Sequence, residues 1–243
     1  GDSITDSAGT DSLSATVTSS ITPAALSGIE TVNLTLNGGA VNMSNISDVT
    51  TVGIADSVTN GTGVITNMPA SVTKINQTTD LGVVNISYAA GSTTNLTLDY
   101  DAATGAPTNA STTIANAGGS LTIDGDVTHA VALGSLAAAA TTSIIVDAET
   151  AAVNTGAVTA AKATSITVND KAGVGGNVDL GTVAAAALQT LDLNNAGTGT
   201  MTIGAVTASR AGLAKVDIDS TSTGNFVVGN ITATAGTGTP SVD

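Results

Sequence analysis

A six-residue figure returns along this chain at a nearly fixed interval, and nothing else constrains the fold as much. The figure is apolar, two spacers, apolar, one spacer, apolar. It reads Ile29, Val32, Leu34 and Val49, Val52, Ile54, and later Ala163, Ile166, Val168, then Leu188, Leu191, Leu193, then Leu213, Val216, Ile218. Weaker copies at Ile75, Leu96–Leu98, Leu121–Ile123 and Ile144–Val146 fill the middle. The central anchors are Val32, Val52, Ile75, Leu96, Leu121, Ile144, Ile166, Leu191 and Val216, and their numbering advances by nearly equal steps. A second column keeps step with the first. The tetrads LGSL, TGAV, LGTV, IGAV and VGNI centre on Gly134, Gly156, Gly181, Gly204 and Gly229, which advance by similar steps. MSNI at Met43–Ile46 and ITNM at Ile65–Met68 extend that column toward the start. Each repeat therefore carries two short segments of strand-like periodicity.

A period of roughly 20 to 25 residues built from strands points to a parallel β-helix in which each repeat is one turn. The expected fold is all-β, a right-handed β-solenoid of about nine turns, roughly 43 Å long at the inter-strand spacing. A sandwich would need antiparallel hairpins and would not hold one phase over nine copies. Leucine-rich repeats lack a match in Leu and Asn positions, and helical repeats fail because Thr, Val and Ser recur where helices favour Leu, Glu and Lys. The core fits this reading: 42% of residues are apolar, yet there is one Phe, two Tyr and no Trp. Small aliphatic side chains suit a narrow interior packed to crystal-like density. The chain opens GDSITDSAGTDS with neither Met nor a secretion signal, so residues 1–243 are read as a single solenoid segment of a longer protein. The longest interruption, Asp99 to Thr113, is rich in Gly, Pro, Asn and Asp, and marks a loop insertion or a bend at 99–113.

Charge narrows the partners. Nineteen acids face five bases, for a formal charge of −14. Nucleic acid needs a basic footprint and is excluded, as are anionic membrane surfaces. The longest apolar run, Val183–Leu188, is far too short for direct membrane insertion. A cation is the natural partner for so many carboxylates. There is no Cys, hence no disulfide or thiol chemistry.

One column of the repeat carries candidate ligands. Just past the last apolar position stand Asp99, Asp124, Asp147, Asn169, Asn194 and Asp219, where the first rungs have Thr35, Ala55 and Thr78. Asn and Asp suit the turn after a strand, and stacked Asn side chains form ladders, so a turn ladder is one reading. Carboxylates stacked about 4.8 Å apart repel unless a cation bridges them, and calcium with its oxygen ligands is the other reading. Asp126, in Asp124-Gly125-Asp126, adds a second carboxylate at that level. The N-terminal Asp2, Asp6 and Asp11, set among Gly and Ser, form either a second calcium locus or a solvated acidic end. Catalysis finds little support. His129 is the lone histidine and reads as an exposed turn residue. Sugar-cleaving β-helices cluster carboxylates with bases, whereas Lys162, Lys171, Arg210 and Lys215 are scattered singly along the sequence. The expectation is a chain that is not an enzyme.

Gly9 to Thr35, GTDSLSATVTSSITPAALSGIETVNLT, resembles a stretch that recurs in the surface-layer proteins of Gram-negative bacteria, which belong to the RTX class and leave the cell by type I secretion. Ser27, Gly28, Ile29, Glu30, Thr31 and Val32 carry the match, while Gly9, Asp11 and Leu13 fit part of the RTX nonapeptide whose first glycines are here Asp6 and Ser7. The resemblance implies a calcium-dependent lattice on the cell surface, with other copies of the chain as partners and Asp11 as a calcium ligand. It also implies anchoring to the cell by a region outside this segment. Large RTX adhesins share these segments, so binding of a host or glycan ligand is the alternative expectation.

Overall fold

The computed structural model describes residues 4–6, 8–56, 61–125, 128–149, 151–171, 176–208, 213–233 and 241–242. Among them there is no helix, and so none long and apolar enough to cross a membrane. The chain winds as a parallel β-solenoid of about nine turns. An 11-stranded sheet runs the length of the coil, from Ser12–Val17 through Thr31–Leu36, Thr51–Asp56 and onward to Lys215–Ser220 and Ser241–Val242. A 13-stranded sheet collects the remaining segments, and a two-stranded sheet joins Ile4–Thr5 to Leu26–Ser27.

Alternation drives the local structure. Strands Ser165–Asp170 and Thr190–Asn195 each alternate half-buried and buried residues, so every second side chain points into the coil. Leu121, Ile144, Ile166, Leu191 and Val216 lie one above another in consecutive strands. The first four are fully buried. Burying an aliphatic side chain of this size contributes about 1.5–3 kcal/mol. One continuous apolar cluster runs from Val17 to Val216, so no turn holds a core of its own.

The glycine column is a corner of the second sheet. Strands Met201–Ile203 and Val206–Ala208 flank Gly204, and Phe226–Val228 and Ile231–Ala233 flank Gly229. The corners of successive turns stack closely. A Cβ on Gly181 would stand 2.6 Å from the Gly156 carbonyl oxygen, and one on Gly204 would stand 2.7 Å from the Gly181 carbonyl. The apolar ends of the tetrads are in register, with Leu136, Val158, Val183, Val206 and Ile231 pairing in turn. The earlier ITNM does not share that phase. Ile65 pairs with Ile86 and Ile86 with Ile114, which lies two positions beyond the Thr112 that pairs with the tetrad residue Leu136.

Two expectations need correction. Ile75 pairs with Val52 as the spacing predicts, but with Leu98 on its other side and not with Leu96. Leu96 starts a new column that continues to Leu121. The slip of two positions preserves the inside–outside alternation, which is why hydrophobic pattern alone does not reveal it. The interruption is also narrower than 99–113. The chain re-enters the second sheet at Thr108–Asn109 and Ser111–Ala115, and the latter pairs with Val83–Tyr88 on one side. The first sheet continues across the same region from Leu96–Asp99 to Ser120–Asp124.

A buried polar lock accompanies the slip. Asn109 is fully buried and occupies the inward position held by Leu133 in the next turn. Its Nδ2 donates to Gln77 Oε1 at 2.9 Å, while Gln77 Nε2 donates back to Asn109 Oδ1 at 2.7 Å. The Leu81 backbone N–H also donates to Asn109 Oδ1, at 3.2 Å. Two inward amides, distant in sequence, thus satisfy each other and pin the insertion to the coil.

Candidate functional site: an acidic ladder on the outer face

The slip extends the polar column along the first sheet. Asp99 pairs with Asn76, not with Thr78, and Asn76 continues through Gly53 and Asn33 to Ser14. In the other direction the column runs Asp99, Asp124, Asp147, Asn169, Asn194, Asp219 as the spacing predicts. Thr35, Ala55 and Thr78 therefore lie outside it. The ladder has two chemically distinct halves.

In the amide half, side chains bond one another. Asn169 Nδ2 donates to Asp147 Oδ1 at 2.6 Å, and Asn194 Nδ2 donates to Asn169 Oδ1 at 2.9 Å. Lys171 adds its ammonium 3.8 Å from Asp147 and 3.6 Å from Glu149. Asp147 is thus supplied with donors and stands apart from the carboxylate cluster below it.

In the acid half, Asp99, Asp101 and Asp124 converge, with one oxygen from each within 4.8 Å of the others. Asp99 and Asp124 come from adjacent strands. Asp101 arrives by a local turn: its backbone N–H donates to Asp99 Oδ1 at 2.9 Å, and the Tyr100 N–H donates to the Asp124 carbonyl at 3.2 Å. Tyr100 is buried and anchors the turn. Asp99 is itself buried although it faces outward, because the turn and Lys74 cover it. The Lys74 ammonium, one strand back, pairs with Asp99 Oδ2. That contact holds Lys74 above its ordinary pKa, with Asp124 and Asp101 adding to the effect. Desolvation pushes the Asp124 carboxyl up, and Asp99, Asp101, Glu149 and Asp147 push it further.

Lys74, Lys171 and Lys215 thus all pair with carboxylates, the last with Asp217 two positions on, although the bases are scattered singly along the sequence. The Lys74 and Lys171 pairs to the ladder join different turns, so local spacing hides them. Asp101 is the member of the cluster that the column pattern misses, and the Asp-Tyr-Asp spacing is its only signal in the sequence. Asp126 and Asp2 lie outside the described residues.

At the N-terminal turn, Asp11 immediately precedes the strand Ser12–Val17. Its backbone N–H donates to Glu30 Oε2 at 2.7 Å. Asp11 Oδ2 is buried without a hydrogen-bond partner. Desolvation raises its carboxyl, with Asp6 and Glu30 adding to the shift. Asp6 Oδ1 accepts the Ala8 N–H at 3.4 Å, a local turn bond. Gly9, at φ +124°, lies against the Asp11 carboxylate. His129 is half-buried in a bend, with its Nδ1 2.7 Å from the Thr128 hydroxyl.

No family model matches the chain, and no curated protein or solved structure matches it.

Proposed function

We propose that this chain is a structural, non-enzymatic segment of a bacterial surface layer of the RTX class, exported to the cell surface and assembled with calcium into a two-dimensional lattice of its own copies. The observation that carries the reading is the carboxylate cluster of Asp99, Asp101 and Asp124 on the outer face of a repetitive rod. Three carboxylates against one Lys74 ammonium leave two negative charges when all are ionised, which is the charge of one divalent cation. Oxygens that close can be drawn onto a single calcium, whose ligands stand about 2.3–2.6 Å away. Neutralising that face lets like-charged rods approach side by side.

Exposed apolar side chains favour association as well. Ile4, Ile21, Val227 and Ile231 are the exposed large hydrophobic residues among those described, and all four sit on the first or last turns. An apolar cavity of about 290 Å³ between Leu13, Ile21, Leu26, Val41 and Met43 opens at the N-terminal end.

Electron microscopy of the purified chain tests this. Ordered sheets are expected at millimolar calcium and dispersed particles in chelator, with Asp99→Asn/Asp124→Asn failing to assemble. Monomers that persist at millimolar calcium overturn the proposal, and capture of glycan or host protein by those monomers would turn it into an adhesin.

A further inference from the structure

A second polar site lies inside the coil, independent of the outer ladder. Asp170 ends the strand Ser165–Asp170 and Asn195 ends Thr190–Asn195, and the two are register partners in adjacent turns. Both point inward, following Ile166 and Val168 in one strand and Leu191 and Leu193 in the next. Asp170 is 5% exposed and Asn195 1%. Asp170 Oδ2, Asn195 Oδ1 and Asn195 Nδ2 are all buried, and none has a hydrogen-bond partner. Ala148 stands below Asp170 in the column and offers it nothing. Gly197 passes directly beside the carboxylate: a Cβ there would be 2.3 Å from either oxygen, so any side chain would occupy the space the carboxylate uses.

Among the described residues, Asp11 Oδ2 and Asn76 Oδ1 are also buried without a partner, but only Asp170 and Asn195 are two such residues facing each other in adjacent turns. The other inward amide pair, Gln77 and Asn109, is doubly hydrogen-bonded, and the outward pairs Asp147–Asn169 and Asn169–Asn194 are bonded too. Buried polar groups are nearly always partnered, and a buried charge still more so. Desolvation raises the Asp170 carboxyl.

We propose that Asp170 and Asn195 hold a calcium-sized cation between two turns of the solenoid. Strands of a sheet are spaced about 4.8 Å apart, so an ion midway between stacked oxygens lies about 2.4 Å from each. That matches calcium, whereas magnesium requires about 2.0–2.1 Å. A single water bridging off the line between the oxygens, about 2.8 Å from each, would suit the same spacing, and retained calcium distinguishes the ion from it. The donors fit a hard cation: one carboxylate oxygen, one amide oxygen, and water for the remaining positions, with the Nδ2 hydrogens directed at that water. A cation here would tie two turns together from within the core.

The test uses the whole chain carrying Asp99→Asn/Asp124→Asn, which removes the outer cluster and makes the result independent of lattice assembly. Native mass spectrometry and thermal melting are read with calcium chloride, with magnesium chloride and with chelator. The expected result is a retained calcium and a melting temperature roughly 5 °C higher in calcium than in magnesium, both abolished by adding Asp170→Asn. Asn195→Asp, which adds a carboxylate to the pair, is expected to tighten calcium binding about tenfold, so the proposal stays testable even if the Asp170 variant folds poorly. Calcium count and melting unchanged by Asp170→Asn would overturn it. So would an Asp170→Asn chain more stable in chelator and no calcium response in its parent, the signature of a carboxyl neutralised by a proton.

Discussion

Asp124 is the residue on which the electrostatics of the outer face turn. Its carboxyl is raised by desolvation and then by four neighbouring carboxylates, so between its ordinary value and the raised one the folded chain binds more protons than the unfolded chain. Stability therefore falls as pH rises through that window and recovers as pH is lowered. Asp11 and Asp170 are shifted in the same direction and add to the trend. In chelator, the melting temperature is expected to climb as pH is lowered toward the ordinary carboxylate value. Asp124→Asn should flatten that climb and raise stability at neutral pH, because a like-charged neighbour is removed from Asp99. In calcium the slope should reverse, since protons then compete with the ion. Scanning calorimetry across pH with and without calcium checks both signs. The ladder column is legible in the sequence from Asp99 to Asp219 because each member follows a strongly apolar pair. Asn33, Gly53 and Asn76 are not, because the shift at Ile75 is by two positions and leaves the alternation intact.

The insertion between Asp99 and Thr108 illustrates what the strands and their connections owe to one another. Composition marks the stretch as loop, and Asp101, Gly105 and Pro107 do lie in one, but Asn109 belongs to the core. An Asn at an inward Leu position contradicts the hydrophobic pattern, and only the facing Gln77 resolves it. Asn109→Ala leaves Gln77 and the Leu81 N–H without their partner in a dry interior, at about 1–3 kcal/mol for each unsatisfied group. The expected loss of stability is thus roughly 2–6 kcal/mol, measured by urea denaturation. Replacing Gln77 and Asn109 together by Leu should cost less than the single change, since only the Leu81 N–H is then left without its partner. Equal losses in the single and double variants would mean that packing volume, and not the amide pair, holds the insertion.

Over the whole molecule, stability is passed from turn to turn. Leu191 touches the layers above and below it in a column where Leu121, Ile144, Ile166 and Val216 are also buried, while Ile231 near the C-terminal end is 38% exposed and Phe226 and Val228 are only partly covered. In a solenoid each turn is stabilised mainly by its neighbours, so the ends have half the support of the middle. Hydrogen exchange should accordingly be fastest in Ile4–Thr5 and Ile231–Ala233 and slowest in Ser143–Ala148 and Ser165–Asp170, with a smooth gradient between. Assembly into a lattice should raise protection at the terminal turns before it alters the middle. Uniform protection along the rod would instead indicate a single cooperative unit.

The repeat in the sequence was sufficient to determine a parallel coil. So short a period, with two apolar segments in each repeat, can bury its side chains only by stacking on itself, and the scarcity of aromatic residues fits the narrow core that results. What lies across the turns had to come from the tertiary structure: the slip at Ile75, the pairing of Lys74 with Asp99, the arrival of Asp101, and the facing of Asp170 by Asn195. Alternation with a period of two specifies which face a residue occupies, but it leaves open which residue of the next turn stands opposite. That choice is made by packing, and the chemistry of both sites depends on it.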